Sequence, residues 1–94
     1  MSSDFDAELW REQRGSTVLD NPRVEQVVPL EEGGHIREGM RRTEVTELLG
    51  PPDRSTLRND YYELGASPYG VHLERYAIEY NDLDQVVRFD IERR

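Results

Sequence analysis

The chain contains no cysteine, which removes disulfides, thiolate metal sites and cysteine nucleophiles together. Long apolar runs are also missing, and no stretch approaches the length needed to span a bilayer. Positive charge is scarce: 12 Lys and Arg face 20 Asp and Glu, for a formal charge of −8. Such a field repels phosphate backbones and anionic lipid, so neither nucleic acid nor a membrane surface is an expected partner. It would speed encounter with a basic protein, although an acidic balance is common in soluble proteins. The opening residues, Met1-Ser2-Ser3-Asp4-Phe5-Asp6-Ala7-Glu8, carry acid where a secretory leader needs a basic region followed by an apolar one. A cytoplasmic location is therefore expected.

What is present suffices for one small core. Ninety-four residues, 35% of them hydrophobic, make a single domain, and a chain of this size buries only about 60–65% of its unfolded surface. Residues 1–20 read as a short helix, Asp4 to Arg14, and a linker. Phe5, Leu9 and Trp10 give that helix one face able to dock. Residues 21–94 read as the main helix–sheet unit. Asn21-Pro22 is a helix start, an asparagine cap before a proline at the first helical position. Val24, Val27 and Val28 follow as its apolar stripe. Pro29 should end or kink this helix, and Glu31-Glu32-Gly33-Gly34 reads as a turn.

A second helix follows Gly39-Met40, with Val45, Leu48 and Leu49 as its buried stripe. Gly50 closes it and Pro51-Pro52 forbids continuation. Arg41 stands at the capping position, where a short oxygen-bearing side chain is usual, and Glu44 faces the positive end of the helix. From Asp60 the period becomes two. Strands are expected at Tyr61–Leu64, Leu73–Tyr80 and Gln85–Glu92, the last two joined by a turn over Asn81–Asp84. A four-residue loop places Tyr80 opposite Gln85, Ile78 opposite Val87, Tyr76 opposite Phe89 and Arg75 opposite Asp90. The expected architecture is α+β and two-layered: short N-terminal helices packed on a three-stranded antiparallel sheet.

Gly39-Met40, Glu44-Val45, Leu48-Leu49-Gly50-Pro51-Pro52-Asp53 and the three strands together resemble the SmpA/OmlA (BamE-like) family, over about residues 36–92. The resemblance implies a helix-plus-sheet module that binds proteins and catalyses nothing. Founding members of that family are outer-membrane lipoproteins. This sequence departs from them by having no lipidated cysteine, and by placing Arg41 where the family has threonine or serine.

Catalytic and metal chemistry finds no motif. His35 lies in a glycine-rich turn and His72 at a loop–strand junction, without ligand spacing. Asp82-x-Asp84 lacks the glycine and terminal glutamate of a calcium loop and reads as a hairpin turn. Asp53 reads as a turn residue. No serine sits in a nucleophile elbow and no glycine loop could cradle phosphate. No catalytic residue, metal or cofactor is expected. The candidate site is the polar face of the sheet: Arg75, Ala77, Glu79, Val86, Arg88 and Asp90, joined by one of Tyr61 or Tyr62. Tyrosine and arginine around a shallow apolar centre resemble an interface hot spot. A solvated face of cross-strand ion pairs is the competing reading.

The functional expectation is a non-catalytic protein-binding module, in its most concrete form an inhibitor or immunity-type protein for a basic toxin or enzyme. The alternative is a structural or assembly module in a larger complex or homo-oligomer, pairing through a strand edge at Tyr61–Leu64.

Overall fold

A computed structural model describes residues 5–12, 22–66 and 73–93. Within them the chain is α+β, with helices α1 (Ala7–Glu12), α2 (Pro22–Glu32) and α3 (Arg42–Leu49). Four strands follow: β1 (Arg54–Ser55), β2 (Asn59–Ala66), β3 (Leu73–Tyr80) and β4 (Val86–Arg93). The strands form one antiparallel sheet in the order β1-β2-β3-β4. The expected sheet had three strands. The two-residue β1, which pairs Arg54 with Tyr61 and Ser55 with Asp60, is too short to leave a period in the sequence.

Helix α1 belongs to the core. Trp10 is fully buried and meets Tyr62 and Tyr76 edge-on, with ring centroids 5.9 and 6.0 Å away. Phe5 packs against Trp10 and against the otherwise exposed His35. Gln26 Oε1 accepts the Asp6 N–H, so α2 holds the segment that leads into α1. The predicted continuation of α1 past Glu12 to Arg14, its Gly15 stop, the Asn21 cap and His72 lie outside the described residues.

Helix α2 corrects two expectations. It runs through Pro29 to Glu32 and turns only at Gly33 and Gly34, and the Pro29 carbonyl still accepts the Gly33 N–H. Its buried side chains are Arg23, Gln26, Val27 and Leu30, while Val28 is exposed. The spacing is helical and Val27 is buried as expected, but Val28 is exposed and two polar residues share the buried face; the Val24 side chain lies outside the described ones. Arg41 stands at the capping position of α3 as expected, without a capping side-chain hydrogen bond, and its N–H is accepted by Glu44 Oε1. Arginine has no acceptor for the reciprocal bond. At the other end Gly50 sits at φ 79°, and a Cβ there would fall 2.8 Å from the Arg11 side chain. Arg11 itself donates to the Leu48 carbonyl, one of the last in α3.

The hairpin register also differs. Tyr80 pairs with Val86, Glu79 with Arg88, Ile78 with Phe89, Tyr76 with Ile91 and Arg75 with Glu92. Val87 has no partner and forms a bulge between Tyr80 and Glu79. The extra residue reverses the alternation at the start of β4. Val86, expected on the polar face, is buried in the core, and Val87, expected in the core, is exposed. Beyond the bulge the faces agree with expectation, because the register has moved by two residues there.

The core cluster joins Trp10, Val27, Leu30, Val45 and Leu49 of the helices to Tyr62, Leu64, Tyr76, Ile78, Tyr80 and Val86 of the strands. Leu49→Ala should therefore cost about 2–5 kcal/mol by opening a cavity. Leu48→Ala should cost less, because Leu48 is half-buried against the cluster. Denaturant unfolding of the two variants checks the order; equal losses would contradict this packing.

Candidate functional site

The residues of the strands separate into two sets with different chemistry. On the core side lie Asp60, Tyr62, Tyr76 and Tyr80, all buried. The phenols reach polar partners: Tyr62 donates to the Gly50 carbonyl at 2.8 Å, Tyr76 to Glu31 at 2.7 Å and Tyr80 to Asp60 at 3.0 Å. Tyr62 was a candidate for the binding face; it belongs to the core instead. Adjacent strand residues face opposite ways, so Tyr61 is the tyrosine of the pair that faces outward.

Two arginine–carboxylate pairs organise this side. Arg23, fully buried, donates to the Trp10 carbonyl at 2.7 Å, to Asp53 at 2.8 Å and to the Glu63 carbonyl at 3.1 Å. Its guanidinium also lies over the rings of Trp10 and Tyr62. Asp53 accepts the Glu63 N–H as well, so it is a structural anchor more than a turn residue. At the other end of the sheet Arg42 grips Asp60 with two nitrogens, at 2.7 and 3.3 Å. It also donates to the carbonyls of Thr56, Leu57 and Asn59, and its guanidinium lies 4.6 Å from the Tyr80 ring centroid. The hydrogen bond that Arg42 donates to Asp60 raises the Arg42 pKa above its ordinary value, against the opposing effect of burial.

Neither pair had been singled out from the sequence. The signal was Asp60 itself, two before Tyr62, and it becomes readable only once Tyr62 is placed on the core face. A charge at such a position requires a buried partner.

The outward set is the predicted polar face. Across the sheet Tyr61, Ala77 and Asp90 form one row, Glu63, Arg75 and Glu92 a second, and Asn59, Glu79 and Arg88 a third. The Arg75 guanidinium lies 3.9 Å from the Tyr61 ring centroid and pairs with Glu92 at 3.0 Å. Arg88 pairs with Glu79 at 3.3 Å. Ala77 sits between Tyr61 and Asp90 and is nearly covered. Its single methyl leaves the centre of the face lower than its rim. Of the eight predicted residues, Tyr61, Arg75, Ala77, Glu79, Arg88 and Asp90 share this face. Tyr62 and Val86 do not.

A separate cleft of about 720 Å³ opens at the start of α3, between Arg41, Thr46, Glu47, Leu83 and Gln85. Its charged floor, Arg42 and Asp60, is engaged in the pair described above. Among the described residues, no group of three His, Asp or Glu is placed to hold a metal ion. Asn81 and Asp84 form the β3–β4 turn: Asn81 Oδ1 accepts the N–H groups of Leu83 and Gln85, and Asp84 has φ 57°. Among the described residues, no helix is long and apolar enough to cross a membrane. Comparison with protein-family models, with curated proteins and with solved structures finds no match.

The buried phenols carry a pH signature. Burial pushes the pKa of Tyr62, Tyr76 and Tyr80 well above the ordinary tyrosine value. Hydrogen bonding to Glu31 adds to the effect at Tyr76, and the Asp60 charge adds to it at Tyr80. The folded state keeps these protons while the unfolded chain loses them above about pH 10. Their contribution is thus intact below pH 10 and is lost as the pH rises further. Alkaline titration should show most tyrosinate absorbance appearing in the same step as loss of the far-ultraviolet dichroism. Ionisation of all tyrosines with the dichroism unchanged would contradict this burial.

Proposed function

We propose that the protein is a non-catalytic binding module of two layers, its helices covering one face of the sheet and its other face docking a protein partner. The observation that carries this reading is the stacked Tyr61–Arg75 pair beside Ala77. An aromatic ring and a guanidinium are held ready around a shallow apolar centre. Tyrosine and arginine dominate interface hot spots because each combines a large contact area with hydrogen bonding that survives desolvation. Of the surrounding ion pairs, Arg88–Glu79 is exposed and contributes only about 0–1 kcal/mol to folding, and Arg75–Glu92 is part-buried. The resemblance to BamE-like modules supports binding over catalysis.

The partner class that fits best is a basic protein, such as a toxin or enzyme that this chain would neutralise in the cytoplasm. The face is nearly balanced, with Arg54, Arg75 and Arg88 against Glu63, Glu79, Asp90 and Glu92. Steering therefore comes from the charge of −8 on the whole chain. Long-range attraction of this kind acts on association and is screened by salt.

The test compares the wild type with Tyr61→Ala and Arg88→Ala as baits, followed by titration of the captured protein at low and high salt. Both variants should bind at least about tenfold more weakly, as expected for loss of a hot-spot side chain. Arg88→Ala should leave stability within about 0.5 kcal/mol of wild type. Association should slow with salt while dissociation changes less. Unchanged affinity in both variants would overturn the open-face reading, and an acidic partner would overturn the electrostatic part.

A further inference from the structure

The sheet ends on β4, and that edge differs from the other. On the β1 side, β2 is shielded by β1 and then by Asp53, which takes the Glu63 N–H. The Tyr61–Leu64 segment expected to pair with another chain is therefore largely covered. On the β4 side only the start is occupied: Val86 exchanges hydrogen bonds with Gly39 and Met40, each 2.8 Å, and Arg41 bridges to Gln85. From Val87 onward no described strand lies alongside.

Two observations show what this edge presents. The Ile91 N–H is turned away from β3 and donated to the neighbouring Asp90 carboxylate at 2.8 Å. By the two-residue alternation of an antiparallel strand, Phe89 directs its backbone groups the same way. Val87 and Ile91 are 41% and 40% exposed, and Phe89 is half-buried against Tyr76. An edge with outward backbone groups and apolar side chains pairs readily unless charges prevent it.

Charge here selects a partner. We infer that the β4 edge is a self-association site, joining a second copy of this chain in antiparallel register about a twofold axis through Phe89. That register sets Arg88 opposite Asp90 of the partner subunit, and Asp90 opposite Arg88 of the partner subunit. It sets Val87 against Ile91 of the partner subunit and the two Phe89 side chains across the axis. Centring on Asp90 would place two aspartates face to face, centring on Ile91 would oppose Asp90 to Glu92, and centring on Arg88 would oppose two arginines. Among these registers only the Phe89-centred one matches every charge.

The Gly39–Arg41 segment confines the pairing to Val87–Ile91. A contact this short makes a weak, concentration-dependent dimer. In the monomer the Asp90 carboxylate covers the Ile91 N–H; in the dimer that N–H enters the new ladder and the carboxylate turns to the partner's Arg88. The inference does not rest on the open-face partner, although Arg88 and Asp90 also lie on that face, and sedimentation of the chain alone reads the dimer without that partner.

Sedimentation equilibrium on the full chain tests it, using Arg88→Asp, Asp90→Arg and the double exchange. Wild type should approach twice 11.0 kDa as concentration rises. Each single exchange makes two like-charged cross-strand pairs and should weaken the dimer about tenfold or more. The double exchange restores opposite charges and should recover it. Both positions are exposed, so far-ultraviolet dichroism should match wild type throughout. A wild type that stays monomeric up to its solubility limit would overturn the inference. So would a dimer that ignores the single exchanges, or one that the double exchange fails to recover.

Discussion

One buried carboxylate holds together parts of the chain that local preference would leave separate. Asp60 lies on the core side of β2 with its side chain almost wholly covered. Such a charge is strongly unfavourable without partners. Here it accepts from Ser55 of β1, Tyr80 of β3 and two nitrogens of Arg42 at the start of α3. Arg42 then closes the loop between β1 and β2 through the Thr56 and Leu57 carbonyls and that of Asn59 at the start of β2, and its own N–H reaches the Asp84 carbonyl in the β3–β4 turn. Helix, hairpin loop and turn are thereby fixed relative to one ion. Arg23 and Asp53 do the equivalent work at the other end, where α1, α2 and β2 meet.

All twelve Lys or Arg positions in the sequence are arginine; lysine is absent. The structure uses what lysine lacks: a planar fork that bonds several acceptors at once and stacks on rings. Arg23 and Arg42 spend this capacity inside the fold, against Trp10, Tyr62 and Tyr80. Arg75 and Arg88 show the same chemistry outward, where the fold gains little from it. This division is the physical reason for proposing partner recognition on the open side of the sheet and not in the cleft beside α3. In the cleft, Arg42 already answers Asp60 and Asp84.

Much of the fold was legible because apolar spacing recorded it. Strand β3 was placed at its observed bounds, and the stop at Gly50 and the capping position of Arg41 followed from local chemistry. Trp10 and Phe5 signalled that α1 packs. Three features were not legible, each for a stated reason. The bulge at Val87 adds one residue without disturbing a run of apolar letters, so Val86 and Val87 were assigned to exchanged faces. The buried side of α2 is half polar, so Val27 was placed correctly but Val28 misdirected the assignment and Arg23 and Gln26 went unseen. Partnership between Arg23 and Asp53, thirty residues apart, leaves no periodic trace. Of the candidate site, the alternation of β3 placed Arg75, Ala77 and Glu79 together. The choice between Tyr61 and Tyr62 needed the observed pairing with β3.

Because Asp60 is held to be the ion on which α3, β1 and the β3–β4 turn depend, its coupling to Arg42 is the most direct measurement. A double-mutant cycle with Arg42→Ala, Asp60→Ala and the double variant, read by denaturant unfolding, supplies it. Asp60→Ala removes the acceptor of a buried, hydrogen-bonded charge, and Arg42→Ala leaves that charge exposed to its own desolvation. Each single change should cost about 3–5 kcal/mol. The double variant should cost far less than their sum, since either loss already breaks the network. Losses within about 0.5 kcal/mol of wild type, as at an ordinary surface position, or simple additivity, would contradict this role for Asp60.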